Sequence, residues 1–130
     1  MSKPKKVILT SLAPEPIGPY SQAVQAGGFV FCSGQIALDP KTGRVVSPEI
    51  EAQTKQVMEN VKHVLEAAGC SFESVVKTTI FLKSMNDFPK VNEIYGSYLN
   101  HQPPARSTVE VARLPKDVLV EVEVIAWVGK

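Results

Sequence analysis

The chain reads as an α+β fold in which two helices pack on one face of a sheet. Three observations predict it. Two stretches, from Ile50 to Ala68 and from Phe88 to Leu99, repeat apolar residues at helical spacing. Several short runs are rich in Val, Ile, Thr and Phe and bounded by Gly or Pro. The last of them alternates strictly, placing Val118, Val120, Val122 and Val124 on one side. With 130 residues, 44% of them hydrophobic, residues 1–130 are expected to form one domain with a real core.

In chain order, Ser21 to Ala26 and Phe29 to Ser33 predict a hairpin around Gly27-Gly28. Asp39-Pro40-Lys41-Thr42-Gly43 has the chemistry of a turn. The first helix is expected to start at Ser47-Pro48-Glu49, with Ser47 as cap and Pro48 at the first helical position. Ile50, Val57, Val61, Val64, Leu65 and Ala68 then share a face, Glu51 and Lys55 form an i,i+4 pair, and Gly69 ends the helix. Val75 to Lys83 predicts a strand. A second helix begins near Asn86-Asp87 with Pro89 in its first turn, where a missing N–H costs little. Phe88, Val91, Tyr95, Tyr98 and Leu99 form its buried stripe, Asn92 shares that inner face, and Pro103-Pro104 prevents continuation. Arg106 to Ala112 and Val118 to Trp127 are expected to form a final hairpin, turning at Leu114-Pro115-Lys116-Asp117.

Composition narrows the function classes. A formal net charge of +1 gives no field that draws the chain to nucleic acid or to a membrane. The cluster Lys3, Lys5, Lys6 reads as a solvated tail. No apolar run approaches the roughly 20 residues of a membrane helix, and the start Met1-Ser2-Lys3-Pro4 lacks the apolar core of a signal peptide. A cytoplasmic location is the resulting expectation. Cys32 and Cys70 lie far apart, Cys32 reading as a small core residue, and His63 and His101 read as surface helix positions. No metal site is expected.

Two helices cover only one side of a sheet. In the expected hairpin, Val109 and Val111 join the valine face under the helices. Arg106, Thr108, Glu110, Leu119, Glu121, Glu123, Ile125 and Trp127 then share the opposite face, which mixes charge with large apolar groups. Such a face predicts packing against other copies of the chain. Arg106 and Glu121 would lie near each other on it, as a buried ion pair or as parts of a ligand site.

Seven segments give this pattern a family. They are Ile17-Gly18-Pro19-Tyr20-Ser21-Gln22-Ala23, Ser33-Gly34-Gln35-Ile36, Val76-Lys77-Thr78-Thr79, Asn86-Asp87-Phe88, Val91-Asn92-Glu93-Ile94-Tyr95, Pro104-Ala105-Arg106-Ser107 and Val120-Glu121-Val122-Glu123. In this order and spacing, from about Leu12 to Val128, the chain closely resembles the reactive-intermediate deaminases, RidA, also called YjgF or UK-type proteins. The resemblance implies a chorismate-mutase-like α+β fold, a homotrimer with clefts between subunits, and no cofactor. It further implies hydrolysis of 2-aminoacrylate and related 2-enamino or 2-imino acids to 2-keto acids and ammonia, which protects pyridoxal-phosphate enzymes. Its ligands are small 2-imino and 2-keto acids.

By the same resemblance, Arg106 holds the substrate carboxylate with its planar fork, and Glu121 positions or activates water. Backbone donors near Ser33, Gly34 and Thr108 hold substrate oxygens, and Tyr20 and Asn92 line or brace the cleft. Each also has a plainer reading. Ser33 can be a strand end, Tyr20 a packed core residue, Asn92 a loop cap, and Gly34 a point of close backbone approach. Many family members carry cysteine where this chain has Thr108, so a thiol mechanism at that position is excluded here. Two other functions stay in view: an endoribonuclease or translation inhibitor, and a trimer that binds 2-keto acids without turnover. The near-neutral charge argues against the first, and a second carboxylate at the site argues against the other.

Overall fold

A computed structural model of the chain describes residues 5–129. Lys3 and the Met1–Pro4 start lie outside the described residues, while Lys5 and Lys6 are exposed. The elements are β1 (Lys6–Ile8), β2 (Ala23–Ala26), β3 (Phe29–Gln35), α1 (Ile50–Ala67), β4 (Val75–Leu82), α2 (Phe88–Tyr98), β5 (Ala105–Glu110) and β6 (Val120–Trp127). β1 was not anticipated. It is a three-residue edge strand, too short for alternation to be read, and it pairs antiparallel with β2.

The β2–β3 hairpin turns at Gly27, whose φ of 60° is open to glycine at no steric cost. α1 ends before Gly69, at φ 80°. Its start is later than expected. Ser47 Oγ accepts from the Glu49 N–H, but the helix begins at Ile50, with Glu49 rather than Ser47 in the cap position. Gln53 explains the offset. Its amide donates to Ser47 O and accepts from Leu119 N, tying the pre-helical turn to the approach of β6. Glu51 pairs not with Lys55 but with Lys90 of α2, at 3.2 Å. His63 lies on α1 as expected, whereas His101 is in the loop after α2.

One six-stranded sheet has the order β1-β2-β3-β6-β4-β5. β6 is central, antiparallel to both β3 and β4. β5 is the far edge strand, parallel to β4. The expected final hairpin is therefore absent: the last strand of the chain inserts between β3 and β4, and β4–α2–β5 is a parallel crossover unit. Val57, Met58, Val61, Val64 and Leu65 of α1 and Val91 of α2 meet Val30, Ile80, Leu82 and the β6 valines in one buried cluster on one face. Val118 belongs instead to a smaller cluster with Ile36, Leu38 and Leu114, against which Val111 packs. No helix among the described residues is long and apolar enough to cross a membrane.

This topology reverses the face assigned to β5. Directly paired residues share a face. Arg106 pairs with Thr78, which pairs with Val124; Thr108 pairs with Ile80 and so with Val122; Glu110 pairs with Leu82 and so with Val120. These three β5 residues lie on the helix side. Val109, opposite Phe81 and Glu121, lies on the open side, 40% exposed. The open face does carry exposed large apolar groups, namely Phe29, Phe31, Val109 and Trp127. Leu119 is not one of them, since it packs against the main core.

Candidate functional site

Arg106 is an exposed residue near the start of edge strand β5, and α2 holds its side chain. Nη1 donates to Asn92 Oδ1 at 2.7 Å. The guanidinium carbon lies 5.2 Å from the Phe88 ring centroid and 5.1 Å from that of Tyr95. Phe88, Asn92 and Tyr95 follow at i, i+4 and i+7, so one helix face presents all three to the sheet edge. Buried Tyr95 shares a 2.7 Å hydroxyl hydrogen bond with Thr78, the β4 partner of Arg106. A cleft of about 360 Å³ opens here, lined by Tyr95, Pro103, Pro104 and Arg106. The three ion pairs of the described residues do not include Arg106. Two residues along the same face, the Thr108 hydroxyl is buried without a partner.

Glu121 occupies a different environment. It is half-buried on the open face of central strand β6. A Cβ added to Gly34 would collide with the Glu121 carboxylate, so glycine at that point leaves the carboxylate its space. Removal from water raises the Glu121 pKa above the usual carboxylate range, and the neighbouring Glu123 adds to the rise. Arg106 and Glu121 are thus not on one face. Along β6, Glu121 is three residues from Val124, which marks the Arg106 level, and an odd step reverses the face. Two strand spacings and three residues also separate their backbones by about 14 Å.

The remaining candidates divide. Ser33 donates its N–H to Gln22 O at 2.9 Å and its hydroxyl to Ser21 O at 2.6 Å, so both donors are engaged by the strand connection. Tyr20 is 48% exposed and is not a packed core tyrosine; its hydroxyl accepts from Ile17 N at 3.3 Å. Its loop is pinned by Gln22, a fully buried amide that accepts from Thr10 N and donates to the carbonyls of Thr10, Ala13 and Pro14. Asn92 shares the face of Phe88 and Tyr95 but is exposed there, and it braces the arginine instead of capping a loop. Cys32 is buried, and its thiol is pushed up to about 12, first by burial and then by Cys70.

Sequence reasoning placed Phe88 and Tyr95 in the apolar stripe of α2 and missed their contact with Arg106. The available signal was an aromatic–Asn–aromatic spacing on a helix that connects two strands, the second of them bearing arginine. Among the described residues no group of three or more His, Cys, Asp or Glu side chains is arranged to hold a metal ion.

Comparison with known proteins places these features in context. Residues 10–128 match the family described as endoribonuclease L-PSP. A RutC family protein of Pyrococcus horikoshii is 58% identical, the match covering 95% of this chain and 98% of that protein. The mouse protein named 2-iminobutanoate/2-iminopropanoate deaminase is 49% identical, over 96% of this chain and 93% of its own. A solved structure from the conserved Rid family of Yersinia pestis superposes with a TM-score of 0.93 at 51% identity, covering 95% of this chain and 99% of that one.

Proposed function

From its membership of the endoribonuclease L-PSP family, the Rid/YjgF group to which this chain belongs, we propose that the protein hydrolyses small 2-imino acids and their 2-enamino tautomers. The products are the 2-keto acid and ammonia. The observation that carries this reading is the state of Arg106. Its guanidinium is held in place by Asn92 and two aromatic rings, yet it has no carboxylate partner among the described residues. A planar cation fixed at the mouth of a cleft suits the carboxylate of a ligand. The name of the mouse relative supports the choice of ligand.

In the proposed reaction, Arg106 anchors the substrate carboxylate. Glu121 takes a proton from water as the water oxygen bonds to the imine carbon. The proton returns to nitrogen, giving a carbinolamine; the hydroxyl proton then passes to nitrogen as the C=O bond forms and the C–N bond breaks, so ammonia leaves with the keto acid behind. Burial raises the basicity of the Glu121 carboxylate, which suits it to that transfer.

Because Arg106 and Glu121 lie on opposite faces, a site that uses both requires two copies of the chain. We place it in clefts of a homotrimer, where the helix-side edge of one subunit meets the open face of the next. The exposed Phe29, Phe31 and Trp127 supply apolar surface for that contact. Subunit mixing tests this. Arg106→Ala and Glu121→Gln trimers are expected to be inactive in a semicarbazide-trapping assay. Refolded together at equal amounts, they should recover about a quarter of the parent activity, since each mixed ring restores one of its three clefts. No recovery from well-formed mixed trimers would refute a shared site. A monomer at micromolar concentration in sedimentation equilibrium would refute the assembly.

A further inference from the structure

Arg106 is an exposed arginine on an edge strand, the setting in which a long side chain ordinarily samples many rotamers. Three contacts, all from α2, restrain it here. On α2, Phe88 and Tyr95 are seven residues apart, about 10.5 Å along a helix axis. The guanidinium carbon is 5.2 Å from one ring and 5.1 Å from the other. These distances fit a cation seated between the rings. Asn92, between them in sequence, fixes Nη1 in the plane. The Tyr95 ring is itself anchored to the sheet, because its hydroxyl bonds Thr78 on the strand beside Arg106. Helix and sheet therefore both define where the guanidinium can be.

We propose that Phe88 and Tyr95 are positioning residues for the ligand-binding arginine. They hold the guanidinium in one orientation, so that its donors not engaged by Asn92, Nη2 among them, face the cleft as a ready pair for a carboxylate. The idea rests on the proposed anchoring role of Arg106 and extends it to two residues that act through the arginine. A preoriented fork loses little freedom on binding, and the rings stabilise the cation through their faces. Because the carboxylate is held alike in ground and transition states, the effect belongs in KM and in the Kd of a product-like acid, not in kcat.

The experiment uses the full chain in its native assembly, with pyruvate as the probe. Phe88→Leu, Tyr95→Leu and their combination leave an apolar side chain but remove the rings, Tyr95→Leu also leaving the Thr78 hydroxyl unpaired, whereas Tyr95→Phe keeps the ring. The readouts are pyruvate Kd by calorimetry, KM and kcat for freshly generated iminopropanoate, and the NMR position of the Arg106 Nε–H. In the parent that proton should show a ring-current displacement. The double Leu variant should lose the displacement and bind pyruvate about tenfold more weakly, with kcat within about twofold. Tyr95→Phe, which keeps the ring but loses its bond to Thr78, should weaken binding less than Tyr95→Leu. In an Arg106→Ala background the Leu changes should have no further effect on binding. Should Tyr95→Leu fail to fold, Phe88→Leu alone is expected to weaken binding about threefold. Folded Leu variants with parent Kd, or a fall in kcat at unchanged KM, would overturn the proposal. A parent protein that does not bind pyruvate would instead fault the functional reading, and the Nε–H signal would still report whether the rings hold the arginine.

Discussion

The two faces of the sheet treat charge in opposite ways. On the helix side, Arg106 sits at the exposed edge, oriented by neighbours from α2 and without an acidic partner among the described residues. On the open side, Glu121 sits on the central strand, half-buried against the backbone of Gly34, with a raised pKa. One face fixes a cation and offers it to solvent; the other takes a carboxylate partly out of water and strengthens it as a base. The comparison teaches that the two groups lie on opposite faces of one sheet. Under the proposed function, a ligand contacting both would lie between copies.

The sharpest way to break the comparison is to neutralise the open-face half. Glu121→Gln keeps size and most hydrogen bonding but removes the base. Its kcat should fall by about 10²–10⁴, the usual worth of a general acid–base group. Pyruvate binding should persist or tighten, because a negative charge near the ligand is gone. Turnover by trapped-imine kinetics and pyruvate calorimetry on the same variant separate the two quantities. Weakened binding with unchanged saturated turnover would reduce Glu121 to a brace.

The helix-side half should behave differently. Arg106→Ala should lose about 2–5 kcal/mol in kcat/KM, the cost of removing one partner of a desolvated charge pair. Arg106→Lys should recover little of it, because a point charge cannot reproduce the fork. Parent-like kcat/KM in the Ala variant would show that the carboxylate is anchored elsewhere.

Gly34→Ala probes the support of Glu121 without changing its charge. The added Cβ meets the mobile end of the Glu121 side chain, which can swing aside. The fold should survive, with thermal unfolding little changed, while kcat drops about tenfold or more from a misplaced base. Unchanged kcat would mean that the contact with Gly34 does not set the working position of the carboxylate.

The smallest effect concerns Glu123. Glu121 must be ionised to accept a proton, so kcat should decline as pH falls through its pKa. Burial and Glu123 both raise that pKa, which puts the acid limb above the ordinary glutamate range. Glu123→Gln removes the lesser cause, so the limb should move to lower pH while the plateau stays where it was. A limb that stays in place, or moves upward, would detach the pH dependence from Glu121.

Much of this was legible in the chain. The helix faces of α1 and α2, the Gly27 turn and the valine side of β6 all follow from local periodicity and turn chemistry, because those patterns repeat within one element. The candidate site residues came instead from the resemblance to the family, not from periodicity. The edge strand β5 was not legible in this way. With Arg106, Ser107, Val109 and Glu110 all exposed in the single chain, it has no buried face to declare its orientation. Val109 and Val111 pointed the reading inward, and adjacency to β6 suggested a hairpin. The strand–helix–strand order of β4, α2 and β5 was the sign of a parallel crossover.

What the sequence determined by itself was every element but β1, the buried faces of the helices and of β6, and, through the family resemblance, the identity of the two charged groups. Tertiary structure alone decided that β6 inserts between β3 and β4, and hence that Arg106 and Glu121 face opposite ways. The physical reason is the period of the strand. Alternation says which side chains agree with one another, but only the pairing partner and its register say which side they agree on. A change of one residue in register reverses every one of them.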